Sequence, residues 1–76
     1  MLRELDTAVL KRDLPAHGLV TGDIGAIVFR SPDGRAFDVE FVTADGRTVS
    51  VERLAATDLR PMRDDEILHA RRVTTP

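Results

Sequence analysis

Apolar and polar residues alternate most strictly in Phe37-Asp38-Val39-Glu40-Phe41, a pattern that predicts a strand buried on one face. Phe37, Val39 and Phe41 are expected to face a core, with Asp38 and Glu40 toward water. Thr48-Val49-Ser50-Val51-Glu52 alternates too, which places Val49 and Val51 inward and Ser50 and Glu52 outward. Asp45-Gly46 lies between these runs and signals a hairpin, because glycine supplies the positive φ of the turn. Ser31-Pro32-Asp33-Gly34-Arg35 repeats the device one strand earlier, joining the run from Gly25 to Arg30 to the Phe37 strand. The likeness of the two segments fits an old internal repeat or, the preferred reading, two hairpins of one meander needing the same turn chemistry.

Upstream, residues 6–11 read as a first strand. Residues 14–18 then form a loop, and 21–25 a tight turn with a glycine near each end. Residues 54–57 can make one helical turn before a short last strand at 58–60. Five short strands with a long first loop predict an all-β domain over residues 1–62, a small five-stranded SH3-like barrel. After Pro61 the pattern changes. Asp64-Asp65-Glu66 precede Ile67-Leu68-His69-Ala70-Arg71-Arg72, acids first and arginines last, which suits the dipole of a short C-terminal α-helix within residues 63–76. So short a helix is marginal alone, so Ile67 and Leu68 must dock it on its own barrel or on another chain.

Seventy-six residues make a single domain with a small core. There is no cysteine, which removes disulfides and thiolate-bound zinc and fits a reducing compartment. The longest apolar run, Ala26-Ile27-Val28-Phe29, is far short of a membrane span, and the acidic N-terminus has no signal-peptide character. The cytoplasm is the expected location. A net charge of −2, no Trp, no Tyr and only three Phe argue against a nucleic-acid surface.

Catalysis finds little to work with. His17 and His69, the two histidines, have no metal-ligand spacing, and Ser31 and Ser50 have no histidine close in sequence. No cofactor, no metal and no enzymatic activity are expected, which leaves binding to another protein. Strand alternation puts an apolar side chain on the outer face of both the Ala8-Val9-Leu10 strand and the strand that holds Phe29. Val9 and Phe29 are therefore candidate partner contacts, with Phe29 as the aromatic anchor and Ile67 as part of the helix that covers or vacates that surface. His17 in the long loop is a further contact or simply satisfies loop carbonyls. Arg35 and Arg47, at equivalent hairpin positions, are expected to project from one edge as a polar rim. A homodimer is one form such an interface could take.

The residues 13–19, 22–28, Asp33-Gly34, 37–41 and Leu59-Arg60-Pro61 resemble the bacterial family called domain of unknown function 4926, over roughly residues 5–62. The resemblance implies a small protein from a gene pair of the toxin-and-neutraliser type, whose partner is the product of an adjacent gene. The order strand, Gly-Asp-x-Gly, apolar strand is also similar to the KOW element of ribosome-associated factors and to the nitrile hydratase β-subunit barrel. These imply a nucleic-acid module or an accessory enzyme subunit as alternatives, although the basic flanks of a KOW element are missing.

Overall fold

The computed structural model describes residues 2–73. Its strands are β1 (Thr7–Leu10), β2 (Ile24–Arg30), β3 (Ala36–Val42), β4 (Thr48–Ala55) and β5 (Leu59–Pro61). Single 3-10 turns occupy Pro15–His17, in the β1–β2 loop, and Ala56–Asp58, between β4 and β5. All five strands join one antiparallel sheet in the order β4-β3-β2-β1-β5, so β4 and β5 are its two edges. Ala8, Leu10, Ile27, Val39, Phe41 and Leu59 share the buried face. One sheet can enclose its own core only by coiling around it, and right-handed strand twist supplies that curvature.

Two bulges set which side chains face inward. In β2 the pairing steps from Ile27↔Val39 to Phe29↔Asp38, leaving Val28 as the extra residue. Ile27 is therefore core, while Val28 and Phe29 are both exposed. In β4 it steps from Thr48↔Val42 to Ser50↔Phe41, leaving Val49 unopposed. Directly paired residues share a face, so Ser50, Glu52 and Leu54 lie on the side of Phe41, Val39 and Phe37. The strict alternation read from sequence is thus inverted beyond Val49: Val51 points outward and is exposed, and Glu52 points in. A one-residue slip does this to every following position.

Both hairpin turns are built alike. Gly34 N–H donates to Ser31 C=O at 2.9 Å and Gly46 N–H to Thr43 C=O at 2.9 Å, with glycine φ of 70° and 88°. Each turn's aspartate accepts from the hydroxyl two residues before it, Ser31 and Thr43 respectively. Gly25 plays another part than the turn residue expected. It sits inside β2, where an added Cβ would lie 2.5 Å from Val39 Cγ1 and 3.0 Å from the Glu40 carbonyl oxygen.

The C-terminal α-helix does not form among the described residues. Only a turn at Asp64-Asp65 is present, with Glu66 N–H donating to Arg63 C=O at 3.1 Å. From Ile67 to Val73 the chain has neither helix nor strand, and residues 74–76 of the expected tail lie outside the described residues. The reason is physical: Ile67 and Leu68 are 89% and 71% exposed, so no buried stripe offsets the cost of helix nucleation.

Candidate functional site

The outer face of the β2–β3–β4 meander gathers exposed apolar groups around the β2 bulge. Phe29, Asp38 and Arg53 form one cross-strand row. Arg53 holds the Asp38 carboxylate at 2.9 and 3.1 Å through Nε and Nη2, and its guanidinium lies 5.5 Å from the Phe29 ring centroid. A cation over a ring is attracted to its π face, and the bidentate bond fixes the guanidinium there. Phe29 remains 41% exposed, Val28 beside it is equally open, and Val51 continues the face on β4.

The N-terminal segment meets the bulge from the other side. Leu5 N–H donates to Ile27 C=O at 2.7 Å, and Ile27 N–H to Asp6 C=O at 2.9 Å. Leu5 takes a left-handed φ of 72° with its side chain 85% exposed. A branched apolar residue is strained there, and such strain concentrates at functional positions. Leu5 escaped sequence reading because no residue-type signal marks a left-handed leucine.

His17 does not satisfy loop carbonyls with its ring. Its Nε2 lies 3.1 Å from Glu52 Oε1, whose Oε2 accepts from Ser50 Oγ at 2.6 Å. The order Ser–Glu–His bonds the hydroxyl to a carboxylate rather than to an imidazole, which is not the Ser–His–acid order of a triad. Among the described residues, no three His, Cys, Asp or Glu side chains gather as metal ligands.

The remaining candidates separate. Val9 is 4% exposed, in a row between Ile24 and Arg60, and cannot touch a partner while this packing holds. Ile67 covers neither Val9 nor Phe29 by burial of its own, since it projects into solvent. Arg35 and Arg47 do not share an edge. Successive turns of a meander lie at opposite ends of the strand between them, here about 20 Å apart along β3. Arg47 bonds the Asp45 carboxylate through Nε at 3.1 Å, and no rim joins the two arginines.

Residues 62–73 run as an irregular strap with two charged clasps. Arg60 donates to both oxygens of Glu66 at 2.7 and 2.6 Å, and Arg63 N–H adds a bond at 2.8 Å. These bonds, the Arg60 guanidinium foremost, hold the Glu66 carboxyl down at about 2. Further on, Arg71 Nε donates to Asp23 Oδ1 at 2.7 Å, and Nη2 reaches both Asp23 Oδ2 and the Gly18 carbonyl. Burial pushes the Asp23 carboxyl up, but the bonds from Arg71 and the Val20 N–H outweigh it and keep the group below its usual range. In sequence Asp23 is only a turn residue, because its partner lies far along the chain. Between strap and sheet is a cleft of about 370 Å3, lined by Leu19, Ile24, Phe41 and Val49 from the sheet side.

These features define a small all-β protein made of one coiled antiparallel sheet with a strap laid across its end. The chain belongs to the family described as a domain of unknown function, DUF4926, whose model matches residues 4–61. The search of the curated proteins and that of the solved structures find no match. No helix among the described residues is long and apolar enough to cross a membrane.

Proposed function

We propose that the chain is a non-catalytic protein-binding module of SH3-like barrel type, the neutralising or accessory partner of the product of an adjacent gene. The connectivity supports the barrel reading: a long first loop, a three-stranded meander, a 3-10 turn and a last strand returning beside the first. One observation carries the binding reading. At the β2 bulge, Phe29 and Val28 stand out of the sheet beside a strained, exposed Leu5, with Arg53 clamped over the ring. Aromatic and arginine side chains in such a setting are the groups that anchor protein interfaces. The partner suited to it is a folded protein with an apolar patch and a carboxylate able to meet Arg53.

Co-expression with the adjacent gene's product and titration calorimetry test this. Binding is expected, with Phe29→Ser weakening it at least tenfold, while circular dichroism of the free variant checks that it stays folded. Binding insensitive to Phe29→Ser and Val51→Lys, or no binding at all, overturns the assignment.

A further inference from the structure

The strap is fastened by charge and fits its seat loosely. Ile67 and Leu68 between the two clasps bury little, the span forms no helix or strand, and a cleft of about 370 Å3 stays open beneath it. It also lies beyond the part of the chain that the family model matches. Its seat, in contrast, is built from the matched domain. Asp23 is positioned by the Val20 N–H and offers a carboxylate, Gly18 offers a carbonyl, and Leu19, Phe41 and Val49 supply an apolar floor. The strap meets this seat with Arg71 on the polar end and Val73, half-buried, along the apolar part.

We propose that this cleft is a second recognition groove, for an extended segment of another protein that presents an arginine with an apolar residue two positions on. Residues 71–73 occupy it in cis. The charge pattern selects the occupant. A guanidinium satisfies two carboxylate oxygens and a carbonyl at once, which an ammonium cannot do with the same planarity. A segment that reproduces this bond and fills more of the cleft than the strap displaces it. The surface is separate from the Phe29 face, so the two readings stand or fall independently.

A labelled peptide of residues 66–73 and fluorescence anisotropy provide the test, on the full chain. A tethered segment competes at about 1 mM effective concentration, so a peptide with a Kd of about 0.1 mM for the open groove is weakened about tenfold by the strap. The Arg71→Gln chain, whose clasp is broken, is therefore expected to bind the peptide about tenfold more tightly than the parent. Adding Asp23→Asn should abolish that gain. Because Asp23→Asn could disturb its own loop, a peptide carrying Arg71→Glu serves as the second arm and should fail against the intact Arg71→Gln chain. Phe29→Ser should leave all of these values unchanged. Equal binding by parent and Arg71→Gln chains, or full binding of the Arg71→Glu peptide, overturns the proposal. A parent dimer that falls apart on Arg71→Gln also overturns the cis seat, assigning the groove to a second copy's strap.

Discussion

Leu5 and Gly25 are the two residues whose backbone settings matter most, and they pull in opposite directions. Leu5 adopts a conformation that suits glycine, with almost its whole side chain in water. Relieving left-handed strain is worth about 1–2 kcal/mol. The extra freedom glycine gives the unfolded chain costs about 0.4–1 kcal/mol. Leu5→Gly should therefore raise stability in urea denaturation, and a loss would show the φ is not strained. Gly25 is the converse, a glycine kept for space. Its missing Cβ leaves room for Val39 and the Glu40 carbonyl, both of which belong to the packed centre of the sheet. Gly25→Ala should cost about 1–3 kcal/mol by overpacking, measured by the same denaturation midpoint. A melt equal to the parent's would mean β3 moves aside freely.

At the scale of elements, the sequence was most informative where one face is wholly apolar and the strand itself carries no bulge. Phe37, Val39 and Phe41 read correctly because no bulge interrupts their phase between turn and turn. The Asp-Gly turns read correctly because their chemistry is local. Val51 and Glu52 read inverted because the bulge at Val49 leaves no mark in residue type. The helix failed for a different reason: its acids and arginines found partners in tertiary structure instead. Glu66 serves Arg60, and Arg71 serves Asp23. The candidate surface was legible only at Phe29, since Leu5, Asp23 and Arg53 gain their roles from long-range pairing. The strap's clasps carry a pH signature. Glu66 titrates near 2, below the ordinary glutamate value, so its contribution is present above that ordinary value and fades as pH falls toward 2. A carboxyl NMR titration should find its midpoint near 2 in the parent and higher in Arg60→Gln, though still below the ordinary value because the Arg63 N–H bond remains. An unshifted midpoint in the parent would show that the first clasp is open in solution.

On the scale of the whole molecule, β4 pairs among the described residues with β3 alone, an edge of eight residues whose Val49-Ser50-Val51 stretch carries no charge. An unpaired edge of that kind is a template on which identical chains can stack into fibres. Glu52, turned inward beside Val39 and met by His17, sits in the middle of that edge. An inward-pointing charge is one of the devices by which edge strands resist such pairing, since a chain adding a strand there would further desolvate it. The same side chain that looks like a fragment of an active centre is therefore expected to act as a guard against self-assembly. Glu52→Val should fold, yet seed thioflavin-positive aggregates at concentrations where the parent stays clear, and a clear solution of the variant would remove that role from Glu52. Resistance to edge pairing is thus expected to rest, in this small sheet, on a single glutamate facing the side where the hydrophobic pattern called for valine.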